Sequence, residues 1–143
     1  RLKRYQHKKE RTFFDKFFFS DVLADIEFSF MKNNAKIVPH TDSRQKLISL
    51  MLYFPDRELS EEQISILGTS FFDSKTKNLS NKHLEERKDE IEFKKLSTKT
   101  LTLPFKKFSL FGFIRNDKSW YTVEQFNIHP NFIRKSININ LYI

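Results

Sequence analysis

Cysteine is absent from the 143-residue sequence, and glycine and proline are scarce, with two and four residues respectively. The lack of cysteine excludes disulfides and cysteine-ligated zinc sites, and it is consistent with a reducing compartment, so we expect a cytoplasmic protein. Two glycines are too few for a Walker phosphate-binding loop or a dinucleotide-binding fingerprint. No apolar run approaches the roughly 20 residues that span a bilayer, so we expect no membrane partner.

The excess of basic over acidic residues is concentrated at the N-terminus. Lys and Arg number 26 and Asp and Glu number 18, which gives a net charge of +8. The first eleven residues, RLKRYQHKKER, contain six basic side chains and one acidic side chain, and they therefore hold +5 of this charge. The chain is also rich in Lys, Asn, Ile and Phe, which A/T-rich codons encode. The net charge is therefore weak evidence for a nucleic-acid partner.

Chain length and aromatic content indicate a single globular domain. A chain of 143 residues fits one domain better than two, and 17 phenylalanines exclude an intrinsically disordered protein. We assign residues 1–21 to a basic and aromatic N-terminal segment and residues 22–143 to the domain. Because the chain begins at Arg1 and not at methionine, we expect this segment to be the remnant of a longer N-terminal part, and we predict a short flanking helix there.

The spacing of apolar residues predicts a mainly β protein. Strict alternation and short apolar runs bounded by turn residues are typical of strands. Such patterns occur over residues 25–30, 46–54, 69–73, 101–115 (two strands broken at Pro104), 119–126 and 134–143. Few helices and no internal repeat accompany them, so we predict a β-sandwich or β-barrel.

Several segments carry more specific predictions. Leu23, Ile26 and Phe30 also fit one face of a helix, which leaves a helical alternative open for the first strand. Ser60 is placed to cap a short helix over residues 60–67, and the charged stretch 74–99 is predicted to be a loop with one exposed helix. In the last strand, alternation separates two faces. One face carries Ser136, Asn138 and Asn140, and the other carries Ile137, Ile139 and Leu141.

The tripeptide His40-Thr41-Asp42 is the sharpest candidate for a chemical site. In an extended segment the side chains at i and i+2 point the same way, so the imidazole and the carboxylate converge. Two histidines and one carboxylate form the facial arrangement that holds non-haem Fe(II) and leaves positions open for a co-substrate and oxygen. An HxD tripeptide alone is weak evidence, because it also occurs by chance in solvated turns.

Four longer stretches extend the pattern around this tripeptide: PHTDSRQKLISLMLYFP, GTSFF, LFGFIRNDKSWYTVEQF and IRKSININL. In order and spacing they resemble the Fe(II)/2-oxoglutarate-dependent oxygenases of the prolyl-hydroxylase-like branch. The resemblance covers roughly residues 22–143. It implies a double-stranded β-helix, or jelly roll, which agrees with the number of strands predicted from the apolar spacing.

The resemblance implies roles for five positions. His40 and Asp42 match the first two iron ligands. Arg134 matches the basic residue that grips the distal carboxylate of 2-oxoglutarate, Ser136 matches its hydroxyl partner, and Tyr53 matches a strand tyrosine that donates to the same carboxylate. A guanidinium suits this role because it donates two parallel N–H bonds to a carboxylate. The implied cofactors are Fe(II) and 2-oxoglutarate, with ascorbate as a further candidate.

One position departs from the family pattern. The residue after Ser119-Trp120 is the third iron ligand in the family, a histidine, and here it is Tyr121. A neutral phenol is a poor Fe(II) ligand compared with an imidazole. The domain has therefore lost iron binding, or Tyr121 ligates as a phenolate, or another histidine, His129 or His83, takes its place.

Three functions follow as hypotheses. The first is an Fe(II)/2-oxoglutarate-dependent dioxygenase that hydroxylates a protein side chain or a small metabolite and converts 2-oxoglutarate to succinate and CO₂. The second is a relative without catalytic activity that acts as a binding or structural module, because Tyr121 replaces the second histidine ligand. The third is a basic nucleic-acid-binding domain. We disfavour the third because basic and aromatic residues are interleaved only over residues 105–115, with a spacing that also suits a buried strand.

Overall fold

Eight β-strands make up most of the described part of the chain, which in this computed structural model comprises residues 22–74 and 87–142. The strands are β1 Leu23–Lys32, β2 Ile37–His40, β3 Lys46–Tyr53, β4 Thr69–Ser74, β5 Ser97–Leu103, β6 Leu110–Ile114, β7 Trp120–Val123 and β8 Ile133–Tyr142. Helix α1, Glu61–Ile66, precedes β4, and helix α2, Arg87–Leu96, precedes β5. The prediction of a mainly β protein is confirmed. The N-terminal segment and its predicted helix lie outside the described residues.

The strands form two four-stranded antiparallel sheets in which strands distant in sequence are neighbours. The first sheet has the order β1-β8-β3-β6, and the second has the order β2-β7-β4-β5. Strand β1 pairs with β8, β2 with β7, β3 with β6 and β4 with β5. The pairs β3·β8 and β4·β7 complete the sheets. The two strands predicted within residues 101–115 therefore belong to different sheets.

Strand β1 pairs with β8 along its whole length, from Leu23 opposite Tyr142 to Lys32 opposite Ile133. An unbroken antiparallel ladder of this length requires extended backbone throughout. The helical alternative for Leu23, Ile26 and Phe30 is therefore wrong, and the alternation of this segment is the informative pattern.

The first sheet turns polar side chains inward and apolar side chains outward. In β8, Ser136, Asn138 and Asn140 line a cavity between the sheets, as the alternation predicts, and Ile137 and Ile139 lie on the opposite face. The outer face continues on the edge strands with exposed apolar side chains at Ile26, Phe28, Phe30, Leu110 and Ile114. The interior of the sandwich is therefore polar along β8, which is unusual for a sheet that only packs a core.

A capping serine fixes the start of α1, and a buried phenylalanine packs α2 against the second sheet. Ser60 caps α1 by accepting a hydrogen bond from the backbone of Gln63, whose side chain accepts one in return from the backbone of Ser60. Helix α2 was expected to be exposed, yet Phe93 is fully buried between Phe72 and Trp120. Neither of these helices, which are the ones within the described residues, is long and apolar enough to cross a lipid bilayer.

The apolar core fills only part of the space between the sheets. Its buried members are Met31, Met51, Tyr53, Leu67, Phe105, Val123, Phe126 and Phe132. A second, smaller core contains Phe72, Phe93 and Trp120. The polar inward face of β8 borders the remaining space, and the candidate site lies there.

Candidate functional site

A cavity of about 240 Å³ lies between the two sheets and receives side chains from both. Five predicted site residues line it: His40, Asp42, Tyr121, Arg134 and Ser136. The sixth, Tyr53, is fully buried and lies behind the cavity wall. The fold thus brings together residues that are separated by up to 96 positions in the sequence.

The cavity has two chemically different ends. Across β3 and β8, Ser49 lies opposite Asn140 and Tyr53 lies opposite Ser136. These two levels are four residues apart, or roughly 13 Å along the strands. The first level belongs to a cluster around Asp42, and the second to a cluster around Arg134.

Asp42 is the centre of a buried hydrogen-bond cluster. Its Oδ1 atom accepts hydrogen bonds from Lys46 Nζ at 2.7 Å and from the Tyr121 hydroxyl at 3.0 Å, and its Oδ2 atom accepts one from Ser49 Oγ at 2.7 Å. Burial raises the pKa of Asp42, but these hydrogen bonds and the charge of Lys46 outweigh it and lower the pKa below its usual value. The carboxylate is therefore held ionised, and Lys46 neutralises it.

Tyr121 and His40 lie side by side on paired strands. Their rings are 4.3 Å apart between centroids, and His40 Nδ1 lies 2.9 Å from the carbonyl oxygen of Val38. Burial raises the pKa of Tyr121, and the neighbouring Asp42 carboxylate raises it further. The phenol therefore stays protonated and acts as a hydrogen-bond donor to Asp42.

These donors fit Fe(II) poorly. Metal binding would have to compete with three hydrogen bonds for the oxygens of Asp42, and the Lys46 ammonium already supplies the positive charge beside them. A protonated phenol contributes no anionic ligand, so of the three predicted ligands His40 and Asp42 remain as ordinary ligands for this metal. The iron assignment stays a prediction from resemblance, and the arrangement favours the alternative in which iron binding is lost.

The second cluster surrounds a buried guanidinium. Arg134 is only 2 % exposed, and its Nε donates to the carbonyl oxygen of Leu67 at 2.7 Å. Its Nη2 donates to Thr69 Oγ1 at 3.3 Å, and its Cζ lies 5.2 Å and 4.9 Å from the ring centroids of Tyr53 and Phe105. Burial lowers the pKa of Arg134 because it disfavours the charged form.

Tyr53 acts behind Arg134 and does not reach the cavity. Its hydroxyl donates to Thr69 Oγ1 at 2.8 Å, and Thr69 in turn accepts from Arg134. Thr69 itself lines the cavity. The tyrosine predicted to contact a ligand carboxylate therefore positions Thr69 and Arg134, and Thr69 is the residue that reaches the ligand space.

Neither histidine proposed as a substitute ligand joins the site. His129 lies in the loop before β8, where its ring packs 5.6 Å from the ring of Phe132, and it does not line the cavity. That alternative is therefore wrong for His129. His83 lies outside the described residues.

Sequence reasoning missed several residues of the site. Lys46, Ser49, Thr69, Asn138 and Asn140 all line the cavity. The alternation of β8 was a usable signal for the two asparagines, because it placed them on the same face as Ser136. Lys46 and Ser49 stand at a regular spacing on the strand after His40-Thr41-Asp42, but their contacts with Asp42 depend on how the chain turns between β2 and β3.

Comparison with known proteins provides no family assignment. No model of a known protein family matches the sequence, and no curated protein matches it at a significant level. The function is therefore argued from the geometry of the cavity.

Proposed function

We propose that this chain is an oxygenase-like double-stranded β-helix domain that binds a small carboxylate and does not carry out iron-dependent hydroxylation. The observation that carries the proposal is Arg134, a nearly fully buried guanidinium at the cavity wall. Among the described side chains, no carboxylate forms an ion pair with it. Buried charges in proteins are normally paired, so the missing anion is expected to come from a ligand.

The strand pairing supports the jelly-roll part of the proposal. The pairs β1·β8, β2·β7, β3·β6 and β4·β5 are nested, as they are in one long antiparallel ribbon folded into two sheets. Eight strands in two sheets with Greek-key connections are the hallmark of a jelly roll. This nesting is the pattern that the name double-stranded β-helix describes.

The surroundings of Arg134 suit a carboxylate. Its Nε donates to the carbonyl of Leu67, its Nη2 to Thr69 and its Nη1 to Met31 Sδ at 3.9 Å, so two of the five N–H groups of the guanidinium remain for a ligand. Ser136 adds a hydroxyl group from β8, and Thr69 adds one from β4 on the opposite sheet. Hydrogen bonds between a guanidinium and a carboxylate are among the stronger ones in proteins, so the anion would relieve the cost of burying Arg134. By resemblance, 2-oxoglutarate is the first carboxylate to test.

Replacing Arg134 by methionine is expected to separate ligand binding from stability. Isothermal titration calorimetry should show 2-oxoglutarate binding to the wild type and at least about tenfold weaker binding to Arg134→Met, because a charge-assisted pair is lost. The free energy of unfolding of the ligand-free variant should change by less than about 2 kcal/mol, because an apolar side chain of similar volume often replaces a buried charge at little cost.

Arg57→Met is the matched control, because Arg57 is half exposed and pairs with Asp56 away from the cavity. It should bind 2-oxoglutarate as the wild type does. Equal binding by the wild type and a folded Arg134→Met variant would contradict the proposal, as would the absence of any carboxylate binding by the wild type.

Iron-dependent dioxygenase activity is the second candidate, and the convergence of His40 and Asp42 on one cavity favours it. The reaction would hydroxylate a protein side chain or small metabolite as 2-oxoglutarate becomes succinate and CO₂. Iron titration together with succinate release tests it directly. Stoichiometric iron binding with turnover by the wild type would replace the non-catalytic proposal.

Restoring a metal site should require two changes. We expect Tyr121→His combined with Lys46→Met to bind Co²⁺, because the first change adds an imidazole and the second frees the Asp42 carboxylate. The visible absorption of bound Co²⁺ is the measurement. Tyr121→His alone should bind at least about tenfold more weakly, since Lys46 still occupies Asp42. Equal Co²⁺ affinity in the single and double variants would show that Lys46 does not block the site.

A further inference from the structure

We propose that the ligand of this cavity is a polyhydroxylated carboxylate of the sugar-acid class, held along β8 by its hydroxyl groups and at Arg134 by its carboxylate. The inference rests on the proposed function, because it takes Arg134 as the carboxylate anchor. It adds a second recognition element that 2-oxoglutarate would leave unused, since two of its three central carbons carry only hydrogen.

A row of polar side chains without protein partners carries the inference. Ser136, Asn138 and Asn140 project from β8 into the cavity, and Ser29 joins them from β1, where it lies opposite Ser136. Asn140 is 4 % exposed and Ser136 is 5 % exposed. Within residues 22–74 and 87–142, none of these four side chains makes a hydrogen bond to another protein group.

The polar atoms of this row are open to the cavity and are not sealed from it. Polar side-chain atoms nearly always have a hydrogen-bond partner, so the partner here is water or a ligand that enters the cavity. Successive inward positions on a strand are about 6.6 Å apart, so the row offers hydrogen-bonding groups at regular intervals leading away from Arg134. Asparagine amides and serine hydroxyls both donate and accept, which matches the donor and acceptor character of ligand hydroxyl groups.

The charge of the cavity favours hydroxyl groups over a second carboxylate along this row. Glu27 lies opposite Asn138 on β1 and also lines the cavity. Its carboxylate would accept a hydrogen bond from a ligand hydroxyl but would repel an anionic group at the same place. The cavity, at about 240 Å³, is also below the size typical of pockets for drug-sized ligands, so it suits a single small acid.

Two six-carbon acids that differ in their hydroxyl groups provide the test. Calorimetry on the 143-residue chain should show gluconate binding at least about tenfold more tightly than hexanoate, because several hydrogen bonds are added at the same carboxylate anchor. In Asn138→Leu, which changes the inward position next to Ser136, gluconate should lose most of this advantage while hexanoate binding is retained. Asn127→Leu, at an exposed asparagine away from the cavity, should behave as the wild type.

The outcomes separate the two proposals. If hexanoate or 2-oxoglutarate binds as tightly as gluconate, the hydroxyl inference is overturned and the carboxylate proposal stands. If none of the three acids binds to the folded wild type, the carboxylate proposal fails. Should Asn138→Leu not fold, as judged by circular dichroism, Ser136→Ala removes one hydroxyl with less disturbance. An unchanged preference for gluconate in Ser136→Ala would then also overturn the inference.

Discussion

Replacement of Asp42 by asparagine is expected to lower the free energy of unfolding by about 3–5 kcal/mol, which is the usual cost of removing one partner from a buried ion pair. Lys46 is largely buried and lies 2.7 Å from Asp42, so the substitution leaves an ammonium without its counter-charge. The Tyr121 and Ser49 hydroxyls also lose an anionic acceptor. Urea denaturation of wild type and variant measures the difference.

Two further variants test whether the unpaired charge of Lys46 causes the loss of stability. Asp73→Asn changes an exposed carboxyl on β4 and should shift the free energy of unfolding by no more than about 0.5 kcal/mol. Combining Asp42→Asn with Lys46→Met should recover part of the loss, because the buried ammonium is then absent. If the double variant is less stable than Asp42→Asn, the unpaired charge of Lys46 is not the cause.

Truncation of Phe93 to alanine should cost about 3–5 kcal/mol, the range found when a buried phenylalanine leaves a cavity. Phe93 is fully buried, and its ring lies 4.9 Å from Trp120 and 5.5 Å from Phe72 between centroids. The change should also detach α2 from the second sheet, because Phe93 of α2 packs against Phe72 of β4 and Trp120 of β7. Thermal and urea unfolding monitored by Trp120 fluorescence report both effects.

Phe30→Ala is the matched control for this truncation. Phe30 is 64 % exposed on the outer face of β1, so its removal leaves no internal cavity. We expect a change below about 1 kcal/mol. A loss in Phe30→Ala as large as that in Phe93→Ala would mean that the outer face of the first sheet is buried in solution.

Local patterns in the sequence predicted elements and faces well. The alternation of β8 placed Ser136, Asn138 and Asn140 on the inward face, and the serine before Glu61 correctly predicted the start of α1. These properties depend on neighbours within a few residues, so the chain displays them directly. The assignment of β5 and β6 to different sheets was not predictable in this way, because pairing partners lie far away in sequence.

Part of the membership of the site was predictable from the sequence, but its chemistry was not. The resemblance named His40, Asp42, Tyr121, Arg134 and Ser136, and the fold brings all five to one cavity. The sequence did not show that the Asp42 carboxylate is occupied by Lys46 and Tyr121, nor that Arg134 has no ion-pair partner among the described side chains. Both facts arise from tertiary contacts, and both change the functional interpretation from catalysis to ligand binding.

The position of β8 has a consequence for how the two-sheet domain forms during synthesis. It is the last described strand, yet it lies in the interior of the first sheet, between β1 and β3. While the ribosome still holds residues 133–142, β1 has no neighbour in its sheet and β3 can pair only with β6. The same strand carries Arg134 and the polar row, so the proposed ligand site forms only after residues 133–142 have emerged. A ligand cannot assist earlier stages of folding, and any stabilisation that it provides acts on the finished domain.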